Sequence, residues 1–239
     1  MARYKKEIRM KNKFLKVAVA GLIMLASSAN AGIIASTDFD DRTVAGDTAS
    51  NLDWILDGLS SPGDLSSDYN LFNTSDSANK FAVDRNLANE GDWIVDIALN
   101  VLGLNNISLS SLTLDAYIFN NAGNFQLVQR NLDIAVSLFD SSNTLLKTFT
   151  LLDDIYDNNG VFINANGHNV DVNLEGYSLL ANNDYILRLT ASGEGNGNNA
   201  GFDNLVINGD LTSVPEPSTL AIFALGIMGL ASRRFKKQS

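Results

Sequence analysis

Hydrophobic and polar residues alternate at period two along several stretches of the chain. In "NLDIAVSLFD", Leu132, Ile134, Val136 and Leu138 share one face of an extended segment. The same alternation marks "DWIVDIALN" and "DYILRLTAS". Because side chains point to opposite faces of a strand in turn, this pattern predicts strands with one face on a core.

Four further segments have strand character and are separated by turn-rich pieces such as "NNAGN" and "NANG". The "DSSN" at 140–143 is expected to close a hairpin, with Phe139 and Leu145 on its flanks. These further strand segments are 112–119, 144–152, 169–174 and 202–207.

One stretch, "SNLDWILDGL", has helical spacing instead. A cap at Ser50 or Asn51 and Gly58 near the end favour a short helix within a long connection. The apolar residues of this stretch are Leu52, Ile55, Leu56 and Leu59.

Seven to nine strands without alternating helices predict an all-β fold, an antiparallel β-sandwich over residues 32–213. A jelly roll is the preferred form of this sandwich. A signal helix in 1–31 and a hydrophobic helix in 214–239 are expected to flank the domain.

The amino terminus has the composition of a secretory signal peptide. The basic "MARYKKEIRMKNKFLK" leads into an apolar run over 17–26, and small residues follow at Ala29 and Ala31. We expect signal peptidase to cleave after Ala31. The alternative, a permanent membrane anchor, is disfavoured because the run has about ten residues and a span needs about 20.

The carboxyl terminus pairs an apolar segment with a basic end. Residues 220–231 are uncharged and mostly apolar, and as a helix they would extend about 18 Å against a hydrocarbon core of about 30 Å. The positive-inside rule keeps the basic cluster on the cytoplasmic side, so the tail is expected to be a transient inner-membrane anchor. This cluster consists of Arg233, Arg234, Lys236 and Lys237.

Charge is sorted along the chain. The whole protein has a net charge of -10, but between Gly32 and Val214 six Lys and Arg residues stand against 25 acids, a net charge of -19. Such a body repels nucleic acid and anionic headgroups, so nucleic-acid binding is not expected. The chain has no cysteine, so disulfides cannot stabilise the exported domain.

The carboxyl-terminal "VPEPSTLAIFALGIMGLASRRFKK" resembles the PEP-CTERM sorting signal of Gram-negative bacteria: a Pro-Glu-Pro tripeptide, a short hydrophobic helix and a basic end, in that order. The resemblance implies that a membrane exosortase recognises Pro215, Glu216 and Pro217 and removes the tail. Delivery to the cell surface or the extracellular polysaccharide matrix is implied as well. About 25 residues carry this resemblance, which implies nothing about the body.

The late segments "LLANNDYILRLTAS" and "AGFDNLVINGDL" resemble the closing strands of jelly-roll modules common in secreted carbohydrate-binding proteins. In such modules an Asp after an apolar residue often lies near a structural calcium. The resemblance covers about 40 residues and concerns the fold.

Catalytic material is sparse. The single histidine, His168, lies in the polar "NANGHNV" and is expected to be an exposed loop residue, which leaves little for a zinc site or a Ser-His-Asp triad. No local pattern selects a glycosidase pair from the many acids. We therefore expect no enzymatic activity, with a secreted glycan hydrolase as the remaining alternative.

Calcium is the better-motivated cofactor, because it prefers oxygen ligands and the body is rich in Asp and Asn. If the first and last strands are neighbours, "DFDD" and "GFDN" come together. The alternative is that these are solvated loop acids. The candidate ligands are Asp38, Asp40, Asp41, Asp203 and Asn204.

A sugar-binding face would need aromatic platforms. For each candidate the competing interpretation is a core position, which is commoner for aromatic residues on strands. The candidates are Trp54, Tyr69, Tyr117, Tyr156 and Tyr177.

Together these features predict an exported protein of the cell surface or the biofilm matrix with a structural or adhesive role. Its expected partners are signal peptidase, exosortase and extracellular polysaccharide. The first alternative is a carbohydrate-binding module.

Overall fold

The computed structural model describes residues 32–60, 62–67, 69–84, 93–125, 132–149, 167–192 and 198–214, and these contain strands and no helix. Within them nine strands have four or more residues. The strands are β1 (Gly32–Thr37), β2 (Thr43–Ala45), β3 (Thr48–Ser50), β4 (Ile55–Leu56), β5 (Leu59–Ser60), β6 (Leu65–Ser66), β7 (Asn70–Leu71), β8 (Phe81–Asp84), β9 (Trp93–Val101), β10 (Asn105–Asn120), β11 (Asp133–Asp140), β12 (Leu145–Thr148), β13 (His168–Asn173), β14 (Ser178–Leu179), β15 (Asp184–Ser192) and β16 (Asn198–Ser213).

The period-two segments form strands as expected. Along β9, β11 and β15 every second side chain is buried, and those between them are partly or fully exposed. The segments 112–119, 169–174 and 202–207 lie on β10, β13 and β16, and β12 covers Leu145–Thr148 of the segment 144–152, whose last three residues lie outside the described part. The all-β prediction is confirmed, and its physical basis is the alternation that places one face of each strand on the core.

Two antiparallel sheets form the body of the domain. The five-stranded sheet has the order β12-β11-β15-β9-β5. The larger sheet has the order β13-β10-β16-β1-β4, with β14 paired to β10, β8 paired to β16 and β7 paired to β8. A small third sheet has the order β2-β3-β6.

The core consists of the inward faces of the two large sheets, which form one apolar cluster. Four aromatic side chains join strands of both sheets at its centre: Trp93 and Phe202 meet edge-to-face with ring centroids 5.6 Å apart, and Phe81 stacks on Phe202 at 5.3 Å. Phe39 contacts the same two phenylalanines. Such pairs contribute about 0.5–1.5 kcal/mol each beyond their buried area.

A second apolar cluster lies on the opposite face of the larger sheet. We call it the outer cluster; its members are Phe72, Ala82, Tyr117, Phe119 and, partly buried, Phe125. The turn before β8 is fastened over it, since Thr74 Oγ1 donates to Gly123 O at 2.6 Å.

The predicted short helix at 50–59 is wrong. Ser50 ends β3, residues 52–54 have no regular structure, and the rest form bends and the two-residue strands β4 and β5. Ile55 and Leu56, in the middle of the predicted helix, are extended in β4, and extended backbone angles interrupt a right-handed helix. β4 pairs with β1 at the edge of the larger sheet, which leaves Ile55 66 % exposed, and β5 pairs with β9 at the edge of the five-stranded sheet, where Leu59 is buried.

The predicted hairpin is confirmed. Phe139 on β11 pairs with Leu145 on β12 across the turn. Asp140 organises that turn, because its Oδ1 accepts from the backbone N–H groups of Ser142 and Thr144 at 2.9 and 2.8 Å.

Both predicted terminal helices lie outside the described residues, so the domain boundaries at 31 and 214 stay predictions. In the described part of the chain no helix has the length and apolar character to cross a bilayer.

Candidate functional site

The outer face of the five-stranded sheet carries an ion pair that joins two adjacent strands. Arg188 on β15 lies opposite Asp96 on β9. Its Nε donates to Asp96 Oδ1 at 2.6 Å and its Nη2 to Oδ2 at 2.7 Å. These hydrogen bonds raise the pKa of the Arg188 guanidinium, although partial burial opposes the change. The bidentate geometry fixes the plane of the guanidinium.

Apolar groups surround this ion pair. The guanidinium carbon of Arg188 lies 4.7 Å from the ring centroid of Phe139 on β11. Ile94, two residues before Asp96, is 43 % exposed, and Ile186 is partly buried two residues before Arg188. We call these five residues the sheet face: Ile94, Asp96, Phe139, Ile186 and Arg188. A planar charged group beside apolar surface can hydrogen-bond and pack against a ligand rich in hydroxyl groups.

Sequence reasoning missed the sheet face, because Asp96 and Arg188 are 92 positions apart and no local pattern joins them. An available signal was Arg188 itself, one of six cations in a strongly anionic body, placed in the middle of a strand.

A second polar group lies on the outer face of the larger sheet, beside the outer cluster. Lys80 Nζ lies 3.5 Å from Asp203 Oδ2, and the two side chains are 16 % and 13 % exposed. Burial raises the pKa of Asp203, a rise that the Asn204 backbone N–H and Lys80 oppose and Asp115 reinforces. Asn204 Nδ2 donates to Asp115 Oδ2 at 2.8 Å.

Arg42 lies close to the same group. Its Nη2 donates to Phe72 O at 3.0 Å and also to Ser77 O. Burial lowers the pKa of Arg42 to about 10, and the carboxylate of Asp203 opposes that change. Lys80 and Arg42 therefore already compensate the negative charge of Asp203.

The first and last strands are neighbours, as the calcium prediction assumed: β1 and β16 pair, with Thr37 opposite Leu205. Asp38, Asp40 and Asp41 are exposed in the turn after β1, where Asp38 Oδ1 accepts from the Asp40 backbone N–H at 3.1 Å.

In the described ranges no three carboxylate or imidazole groups gather in a way that could hold a metal ion. Calcium binding stays a prediction that requires Lys80 to leave Asp203. Calorimetric titration with calcium tests it.

The predicted aromatic platforms lie mainly against the core. Tyr117 is 3 % exposed within the outer cluster, so neither face of its ring is open to a ligand. Burial, with Asp203 and Asp115, raises its pKa to about 12. Trp54, Tyr69 and Tyr177 are partly buried and pack on the main core, and Tyr156 lies outside the described residues.

His168 differs from its expected loop position. It begins β13, opposite Ala116 on β10, and is partly buried. Burial lowers its pKa from 6.5, while the negative charge of Asp115 opposes the change.

Comparison with solved structures gives β-domains of low sequence identity. The K3 cleaved adhesin domain of Lys-gingipain from Porphyromonas gingivalis w83 is 17 % identical, with 75 % of this chain and 99 % of that chain covered and a TM-score of 0.36. A family 35 carbohydrate-binding module from an environmental isolate is 17 % identical over 67 % and 93 %, with a TM-score of 0.31. TmCBM61, solved with β-1,4-galactotriose, is 10 % identical over 72 % and 90 %, also at 0.31.

A comparison with curated proteins returned no match. A family model does match the carboxyl terminus. It is described as the PEP-CTERM protein-sorting motif, covers residues 213–237, and includes Pro215, Glu216, Pro217 and the basic cluster. Residues 213–237 are therefore a PEP-CTERM protein-sorting motif, which marks the chain as an exported protein processed by a membrane-associated exosortase.

Proposed function

We propose that the processed protein remains at the cell surface or in the extracellular polysaccharide matrix as a non-enzymatic structural or adhesive component. The observation that carries this proposal is the sorting motif at 213–237. The basic region and apolar run of residues 1–31 support export, because the two topological signals bracket an anionic, cysteine-free body.

We propose further that the sandwich is a jelly roll. Leaving aside β8, which pairs with β16 off the main path of the larger sheet, eight long strands follow one another along the chain: β1, β9, β10, β11, β12, β13, β15 and β16. In the larger sheet the neighbours are β1, β16, β10 and β13, which are the first, eighth, third and sixth of these strands. In the five-stranded sheet the neighbours are β9, β15, β11 and β12, which are the second, seventh, fourth and fifth. Two interlocked Greek keys produce this order.

Fractionation of the native host tests the proposal. We expect the protein in the outer surface or matrix fraction, and mass spectrometry should find no peptide that runs from Leu225 into Arg233. Replacing Pro215, Glu216 and Pro217 together by Ala should retain the unprocessed chain in the inner membrane. A control replacement of Thr212, an exposed residue outside the motif, by Ala should leave both location and processing unchanged. Intact tails on surface protein would overturn the sorting step.

Polysaccharide binding by the sheet face is the second candidate function. It is favoured by the bidentate pair of Arg188 and Asp96 beside Phe139, which combines hydrogen-bonding and apolar surface. In affinity gels the protein should be retarded by the polysaccharide of its own matrix. Arg188→Ala and Phe139→Ala should each abolish the retardation, whereas Thr113→Ala on the larger sheet should not. No retardation of the wild-type protein across a broad glycan panel would contradict this candidate.

A glycan hydrolase would instead turn over part of that panel. We expect no reducing-sugar release by the purified protein, and turnover that disappears on one Asp→Asn replacement would overturn the non-enzymatic assignment.

A further inference from the structure

Lys80, Asp203 and Asp115 form a row across three neighbouring segments of the larger sheet. Phe81, the first residue of β8, pairs with Phe202 on β16, so Lys80 stands beside Asp203. On the other side of β16, Asp203 is the register partner of Asp115 on β10. Phe81 and Phe202 point into the core, so Lys80 and Asp203 share the opposite face.

The row is enclosed rather than solvated. The Lys80 and Asp203 side chains are 16 % and 13 % exposed, with Nζ and Oδ2 3.5 Å apart. Lys80 Nζ also lies 5.1 Å from the ring centroid of Tyr117, a member of the outer cluster. Burial raises the pKa of Asp203, although Lys80 opposes the rise, and a raised pKa favours the carboxylic acid form of Asp203.

Asp115 is held in place from two sides. Its Oδ2 accepts from Asn204 Nδ2 at 2.8 Å and its Oδ1 from Asn169 Nδ2 at 3.4 Å. Its carboxylate lies close enough to Asp203 to act on it electrostatically. An anchored carboxylate beside a carboxyl group and an amine is a suitable proton carrier.

We propose that Lys80 and Asp203 condense into an intramolecular isopeptide bond, with Asp115 as the group that moves the proton. Proton transfer within the ion pair gives a neutral amine and a carboxylic acid. The Nζ lone pair forms a bond to Cγ of Asp203, Asp115 takes a proton from nitrogen and delivers it to the departing hydroxyl, and the Cγ–O bond breaks. The products are one amide and one water, and no oxidant or other reactant is needed.

The fold holds the amine and the carboxyl group together and shields them from water, and neither condition exists for free side chains in solution. Two groups fixed in contact react with an effective concentration of about 10⁵–10⁸ M, and the enclosure limits the access of water that would reverse the step. The bond would fasten the segment before β8 to the central strand β16. In a chain without cysteine it would provide a covalent closure that disulfides cannot. This inference is independent of the sorting motif and of the sheet face.

Intact-mass measurement of the purified full chain after denaturation tests the bond. The wild-type protein should be one water molecule lighter than its sequence requires, and proteolysis should yield a branched peptide that contains both Lys80 and Asp203. Lys80→Arg, which keeps a cation beside Asp203 but lacks the reactive amine, should have the full mass and no branched peptide. Asp115→Asn should still have the circular dichroism spectrum of the folded protein, but its mass should be the full sequence mass. Asp115→Glu should partly restore the loss of one water molecule.

Two outcomes would overturn the proposal. The first is a full wild-type mass together with modification of Lys80 by an amine reagent in the unfolded chain. The second is a mass loss that persists in Lys80→Arg or reverses with hydroxylamine, because an Asp succinimide also loses one water but links no second peptide.

Discussion

Left-handed backbone positions explain part of the unusual asparagine content of this chain. Besides glycines, the described residues with positive φ are Phe39 and five asparagines: Asn51, Asn79, Asn143, Asn182 and Asn204. Asparagine tolerates this conformation better than other residues with a Cβ, because its side chain can hydrogen-bond locally. Asn204, the one asparagine among the candidate calcium ligands, therefore has a conformational role, and it marks an irregularity between β10 and β16.

Gly123 and Gly103 have nearly the same φ, so replacing each by Ala distinguishes the cost of a left-handed backbone from the cost of a packing clash. Gly123 has φ +76°, and a Cβ there would lie 2.8 Å from Phe72 Cδ1 and 2.9 Å from Thr74 Cγ2. Gly103 has φ +75° and open space around it. Gly103→Ala should lower the free energy of unfolding by about 1–2 kcal/mol through the left-handed conformation alone. Gly123→Ala should cost about 1–3 kcal/mol more, because the outer cluster must shift. Equal losses in urea unfolding would show that the outer cluster is loosely packed.

The single histidine should make stability depend on pH. Burial lowers the folded-state pKa of His168 below 6.5, so the unfolded chain takes up a proton first as the pH falls. The contribution of His168 to the free energy of unfolding should be fully present above about pH 7, and should decrease through pH 6.5 until the folded-state pKa is passed. Urea unfolding between pH 5 and 8 should show this decrease relative to His168→Gln. An imidazole NMR titration of the folded protein with a midpoint at or above 6.5 would contradict the sign.

At the scale of elements, strands were predictable where one face is buried and the other is not. β9, β11 and β15 show this alternation in sequence and structure, because both follow from the same half-buried geometry. The segment 50–59 has helical spacing in sequence but forms strands, since Ile55 and Leu56 pair at the edge of one sheet and Leu59 at the edge of the other, and that division has no local signature. The sheet face was likewise invisible, because its residues come from three strands distant in sequence.

The turn between β11 and β12 provides a test of local control. Asp140→Ala removes the acceptor of two backbone N–H groups, those of Ser142 and Thr144, and should lower the free energy of unfolding by about 1–2 kcal/mol. Ser141→Ala, at an exposed position of the same turn, should change it by less than about 0.5 kcal/mol. Chemical denaturation of both variants provides the comparison, and equal effects would mean that Asp140 does not organise the hairpin.

At the scale of the whole molecule, the first and last described strands pair with each other in the larger sheet. β1 pairs with β16 along the register from Gly32 opposite Gly209 to Thr37 opposite Leu205, and β16 also pairs with β10 and β8. The central strand of the larger sheet is thus the last of the described strands to be synthesised. Because its partners are distant in sequence, folding of the larger sheet has to wait for long-range pairing.

This arrangement predicts how two truncations behave. A chain that stops after residue 197 lacks β16, the strand between β10 and β1, and with it the ring contacts of Phe202 with Phe39, Phe81 and Trp93, so it should show no cooperative thermal transition. A chain that stops after Val214 lacks the sorting motif but keeps every described strand, and it should unfold in one transition close to that of the full chain. Circular dichroism melting and limited proteolysis distinguish the two. Cooperative unfolding of the shorter chain would mean that the five-stranded sheet folds without its partner, and the sandwich would then consist of two separable halves.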